Sequence, residues 1–141
     1  MSNNVTRCNM SDSLEIAIQE MKEYDVGFIP IVDTQNKLVN VVTDRDLLLH
    51  TTKEHRPFSS QTCQDISNHR SLLTCNASDD VMDVMKTMKK EQIHRVPVVD
   101  GEDRVLGVIG LSDIVENTEQ NNSSKIPPRE TLDTVKGIFA H

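Results

Sequence analysis

Thr43, Arg45 and Asp46 crowd the middle of the stretch "VVTDRDLLLH" (41–50), where β-branched residues give way to charge and then to three leucines. That change of pattern predicts a strand ending at Thr43 and a helix starting at Asp44. A strand that stops at a helix start leaves first-turn N–H groups without intrahelical partners, at the positive end of the helix dipole. Such an end is suited to phosphate. The Thr43 hydroxyl adds a donor. Asp46 lies one helical turn on, and its carboxylate can accept hydrogen bonds from two vicinal hydroxyls such as those of a ribose. The same residues have a plainer role: Thr43 or Asp44 caps the helix and Asp46 is a solvated first-turn acid. A second basic group is His94-Arg95, just before "VPVVD". The Arg fork fits phosphate oxygens better than an ammonium does. Against this, His94 has a reading as a surface histidine, and Arg95 as the partner of an acid such as Asp100. His50, His55, His69 and His141 share no spacing and receive no role.

The elements that must hold these residues are written twice. Displaced by 67 residues (Met21 onto Met88), "MKEYDVGFIPIVDTQNKLVNVVTDRDLL" falls without a gap on "MKKEQIHRVPVVDGEDRVLGVIGLSDIV". Pro30/Pro97, Val32/Val99, Asp33/Asp100, Val41/Val108 and Asp46/Asp113 are identical pairs, as are Cys8/Cys75, Asn9/Asn76, Ser11/Ser78 and Asp12/Asp79 upstream. Solenoids need three or more units, so two copies predict a pseudo-symmetric pair. In each copy a cap (Ser11 or Asp12 with Glu15; Asp79 or Asp80) opens a helix. Its apolar stripe is Leu14, Ala17, Ile18 and Met21, or Val81, Val84, Met85 and Met88. A strand follows whose proline suggests an edge or a strand start, then a polar turn, a second strand and a short helix. With short lead-in strands at Val5-Thr6 and Leu72-Leu73, the expected order is β-α-β-β-α, twice.

The formal net charge of −7 argues against nonspecific nucleic-acid binding. Four aromatics (Tyr24, Phe28, Phe58, Phe139) are too few for a base-stacking platform. No apolar run approaches a membrane span, and the first residues carry no apolar signal core, so the expectation is a cytoplasmic protein without a membrane partner. Cys8, Cys63 and Cys75 form no C-x-x-C pair or zinc-type spacing. They are expected to be reduced, small buried hydrophobes, with no metal.

The repeated "h-P-h-V-D" strand, the turn and the junction "V-V-T-D-R-D" resemble a tandem pair of CBS domains, a Bateman module, over about residues 5–118. The arrangement is most similar to stand-alone bacterial two-CBS proteins. The resemblance implies an α+β fold of two pseudo-symmetric repeats packed as one module, with 1–62 as the first repeat and 63–118 as the second. It also implies two clefts for adenosine-containing ligands (AMP, ADP or ATP, sometimes S-adenosylmethionine, NAD or cyclic di-adenylate), and a homodimer. Carried over, one cleft has Thr43, Arg45, Asp46, His94 and Arg95, with Leu72 and Leu73 flanking the base. The other has Asp113, Ser112 and Thr6. Gly110 stands there in place of the threonine and Gly27-Phe28 in place of the basic pair, so that cleft lacks its phosphate half. The expected function is a regulatory, ligand-sensing module, with no catalysis and no required cofactor; the alternative is a ligand-independent interaction adaptor of the same fold. No nucleophile–base pair or metal cluster suggests an enzyme. Residues 119–141 read as a polar linker and a short helix opening near Pro128, with Leu132, Val135 and Phe139 on one face.

Overall fold

The computed structural model describes residues 6–66 and 72–111; Val5, Ser112, Asp113 and the expected C-terminal helix lie outside them. The described residues fall into two compact units. One holds residues 6–66, Leu72 and the turn 101–105, and the other holds 73–100 and 106–111.

The elements run β1 (Cys8–Asn9), α1 (Leu14–Tyr24), β2 (Phe28–Val32), β3 (Leu38–Thr43), α2 (Asp44–His50), β4 (Cys75–Asn76), α3 (Val81–Glu91), β5 (Arg95–Val99) and β6 (Val105–Gly110). They make two three-stranded sheets of order β1-β2-β3 and β4-β5-β6. Cys8 is in register with Ile31 and Cys75 with Val98, both in parallel pairing. The 67-residue offset therefore holds in structure as it does in sequence. It extends to backbone detail. The left-handed helix ends at Asp25 (φ 52°) and Gln92 (φ 55°) are equivalent, and so are the turn residues Asn36 and Asp103 (both φ 64°).

Each unit has its own core. Leu14, Ala17 and Met21 of α1 pack with Ile29, Ile31, Val42, Leu47, Cys8, Cys63 and Ile66. In the other unit Val84, Met85 and Met88 of α3 pack with Cys75, Val96 and Val98. The expected helix stripes are thus the buried faces, with two exceptions: Ile18 is half-buried, and Val81, in the first turn of α3, is exposed.

Three local expectations change. The lead-in strands form at Cys8–Asn9 and Cys75–Asn76, and Thr6, Leu72 and Leu73, the described residues of the expected ones, are in no strand. The buried thiols of Cys8 and Cys75 take the core positions, and Leu72 is exposed. The cap of α1 is Ser13, whose hydroxyl accepts from Ile16 N–H (3.2 Å). Asp12 is not available for that role, because its carboxylate accepts from Asn9 N–H (2.8 Å). Asp79 does the same to Asn76 N–H (2.9 Å), leaving Asp80 to cap α3 through Met82 N–H (2.9 Å). Finally, Pro30 and Pro97 stand in central strands rather than edges. The parallel pairing of β2 begins at Ile31 and that of β5 at Val98. Each proline therefore lies just beyond the short neighbour, where a missing N–H interrupts no bond to that neighbour.

Candidate functional site: the strand-to-helix junctions

Thr43 ends β3 and caps α2, with extended backbone (φ −110°, ψ 163°). Its hydroxyl accepts from Asp46 N–H (3.1 Å), and the Asp46 carboxylate accepts from Thr43 N–H (2.9 Å). This reciprocal box fixes the two side chains against each other at the mouth of the helix. The Thr43 hydroxyl accepts there and keeps its own hydrogen as a donor. Both residues are half-buried, while Asp44 and Arg45 are exposed.

The expectation of open N–H groups at this helix start is overturned. Asp44 N–H donates to the Gly27 carbonyl (3.0 Å), Arg45 N–H to the Asp44 carboxylate (2.8 Å) and Asp46 N–H to Thr43. Chain-internal acceptors have taken all three positions that a phosphate would occupy. The two carboxylates beside them also oppose an anion. A phosphate placed here would have only side chains left to bind it.

The same T-x-x-D geometry recurs at Thr62–Asp65. There the Asp65 carboxylate accepts from Thr62 N–H (2.7 Å) at the head of a single tight turn, Cys63–Asp65. The Thr62 backbone bond, then its hydroxyl, holds the exposed Asp65 carboxyl below its ordinary value. Thr and Asp at this spacing thus form a capping device first, and the spacing alone does not mark a ligand site. What sets Thr43–Asp46 apart is its position at the end of a sheet strand and its counterpart in the other repeat.

At that counterpart, Leu111 N–H donates to the His94 carbonyl (2.9 Å), as Asp44 N–H does to Gly27. This backbone bond is the same in both copies and the side chains differ. A Cβ on Gly27 would lie 2.7 Å from Asp44 Oδ2 and 3.1 Å from its Cγ. Position 27 must therefore stay bare for the Asp44 carboxylate to fold over it. In the second copy the pair is His94 and Leu111, both with side chains, and the carboxylate is replaced by an apolar group. Sequence reasoning missed this difference, although reading positions 27 and 44 together against 94 and 111 would have shown it.

The remaining expected residues are placed as follows. His94 and Arg95 are exposed, Arg95 opening β5. Thr6 and Leu73 are half-buried and Leu72 is exposed, none of them in a strand. Thr43, Arg45, Asp46, Thr6 and Leu72 belong to one unit, and Leu73, His94 and Arg95 to the other. Among the described residues, no three His, Cys, Asp or Glu side chains gather to hold a metal ion, and no helix is long and apolar enough to cross a membrane.

The CBS domain profile matches residues 1–52 and 63–119. The chain belongs to the CBS domain family. CBS domain-containing protein YhcV of Bacillus subtilis is 30% identical over 124 residues, covering 88% of this chain and 86% of its own. Among solved structures, Hypoxic Response Protein I with two coordinated zinc ions is similar at TM-score 0.73 and 25% identity, over 82% of this chain and 92% of that one. The CBS domain pair of protein MJ0100, in complex with 5-methylthioadenosine and S-adenosyl-L-methionine, matches at TM-score 0.68 and 27% identity, over 82% and 92%. CBSX2 in complex with AMP matches at TM-score 0.69 and 26% identity, over 80% and 86%. The fold is therefore two CBS repeats of α+β type, each with a small sheet and a helix packed on it.

Proposed function

We propose that this CBS protein is a regulatory module that senses an adenosine-containing nucleotide of the AMP, ADP or ATP class and performs no catalysis. Two similar CBS structures hold adenosine compounds, AMP in one and methylthioadenosine with S-adenosylmethionine in the other. The observation that carries the reading to this chain is the Thr43–Asp46 box at the end of β3. It presents a fixed carboxylate beside a hydroxyl donor. In this reading Asp46 accepts from the ribose hydroxyls and the Thr43 hydroxyl donates to the ligand. With the first-turn N–H groups engaged, Arg45, His94 and Arg95 supply the positive charge for phosphate, and Leu72 and Leu73 the apolar contact for the base. Asp113, Ser112 and Thr6 serve a second, poorer site, where Gly27 and Phe28 stand in place of a basic pair.

Titration calorimetry with AMP, ADP, ATP, S-adenosylmethionine and GMP tests it. Saturable binding of an adenine nucleotide, tighter than GMP and without turnover, supports the proposal. No heat with any adenosine compound at millimolar concentration replaces it with the adaptor reading. Consumption of the ligand replaces it with an enzyme.

A further inference from the structure

Cys63 has no cysteine counterpart under the 67-residue offset, and the proposed function gives it no work. It is nonetheless fully buried, in the same core as Cys8. Backbone bonds lay its segment along the chain that follows β1. Cys63 N–H donates to the Asp12 carbonyl (2.8 Å), Gln64 N–H to the Met10 carbonyl (3.1 Å) and Leu14 N–H to the Gln61 carbonyl (2.9 Å). Ser13 and Thr62 form an antiparallel bridge, and the Cys63 thiol reaches the Ser13 carbonyl (3.9 Å). Within this frame Cys8 and Cys63 lie in one buried cluster, and each thiol acts on the other. The Cys63 thiol and then burial push the Cys8 thiol well above its ordinary range, while the Cys8 thiol favours the thiolate of Cys63. Cys75, the repeat partner of Cys8, lies in the other core, and burial raises its thiol.

We infer that Cys8 and Cys63 are a modification site, a dithiol that closes to an intrachain disulfide when a peroxide reaches it. Cys63 attacks the peroxide; the O–O bond breaks, and a sulfenic acid and one water result. Cys8 attacks the sulfenic sulfur, the S–O bond breaks, and a second water leaves. Two thiols lose two electrons and two protons, and the peroxide takes them up. Entry requires only local opening of the Cys63–Asp65 turn, whose outer residues Gln64 and Asp65 are exposed. Closure ties β1 to the 61–66 segment. Cys75 is left out because it has no thiol partner of this kind.

The test is peptide mapping of the full chain, treated under native conditions with hydrogen peroxide, alkylated and digested with trypsin without reduction. Peptide 8–22 joined to peptide 54–70, two hydrogens lighter than their sum, is expected, with Cys75 alkylated in peptide 71–86. The linked species survives in Cys75→Ser and vanishes with a thiol reductant. The oxidised chain melts at least about 4 °C higher than the reduced one, because the link restricts the unfolded state. The inference is overturned if Cys8 and Cys63 stay alkylated while Cys75 oxidises. It is equally overturned if the link appears only after denaturation. Both readouts are independent of nucleotide binding.

Discussion

At the scale of single residues, Asp46 has two tasks that substitutions can separate. Its carboxylate holds Thr43 N–H in the capping box and, in the proposed function, accepts from the ligand's ribose. Asp46→Asn keeps an oxygen for Thr43 N–H and gives up the charge. Hydrogen bonds to a charged group contribute about 1.5–3 kcal/mol. Asp46→Asn is therefore expected to lower nucleotide affinity about tenfold or more in calorimetry, with a melting temperature close to that of the parent. Asp46→Ala loses both the charge and the cap. Unchanged affinity in Asp46→Asn would leave Asp46 a capping residue only. Gly27 gives a second residue-scale prediction, in which the sign reverses with background. Gly27→Ala forces the Asp44 carboxylate off the backbone and disturbs its bond to Arg45 N–H, for a loss of about 1 kcal/mol. With Asp44→Ala the obstruction is gone. Because Gly27 does not have positive φ, Gly27→Ala then stabilises by about 0.4–1 kcal/mol through the unfolded chain. Urea melts of the two single variants and the double variant measure this coupling; additive effects would refute it.

At the scale of elements, α2 has seven residues and depends on its cap. Isolated helices of that length are unstable in water. Leu47 is its one buried anchor, while Leu48 and Leu49 are exposed. Thr43→Ala is expected to cost about 0.5–2 kcal/mol in a urea melt, and Thr43→Ser much less, since Ser restores the acceptor for Asp46 N–H. Equal losses would mean that the methyl group, not the hydroxyl, matters. Most element positions were legible because helix stripes and apolar strand runs extend over several residues, and the second copy checked the first. The failures came where only two residues carried the signal. A two-residue strand has no periodicity, so the apolar Val5 and Leu72 drew the reading away from the small, buried thiols of Cys8 and Cys75. Adjacent Asp12 and Ser13 are both good caps by type. Only the turn back to Asn9 decides that Asp12 is spent elsewhere. The junction was half legible: the Thr43–Asp46 spacing points to a cap, but the occupation of the first-turn N–H groups depends on the Gly27 carbonyl, which arrives from the residue before β2.

For the whole molecule, ligand binding and stability are linked. A ligand that binds only the folded chain adds about 2.7 kcal/mol at 100 times its dissociation constant. For a chain of this size that is a melting shift of roughly 5–12 °C. The occupied helix start then sharpens which part of the ligand must matter. With no open backbone N–H group at Asp44, Arg45 or Asp46, the phosphate depends on charged side chains, and such contacts weaken with salt. AMP is expected to bind at least about tenfold more tightly than adenosine at low salt, since adenosine forfeits the charge-assisted bonds. That margin shrinks as salt is added. Arg95→Ala is expected to remove most of the margin and leave weak adenosine binding in place, because the ribose contact proposed for Asp46 is untouched. Arg95 is exposed at the first residue of β5, so its removal leaves the core intact and the melting temperature of the ligand-free chain unchanged. Paired titrations of AMP and adenosine, in the parent and in Arg95→Ala, decide the matter. If the parent binds both ligands equally at low salt, phosphate is not recognised. The charges at Asp44 to Asp46 then only cap a short helix, and adenosine compounds without a phosphate become the ligands to pursue.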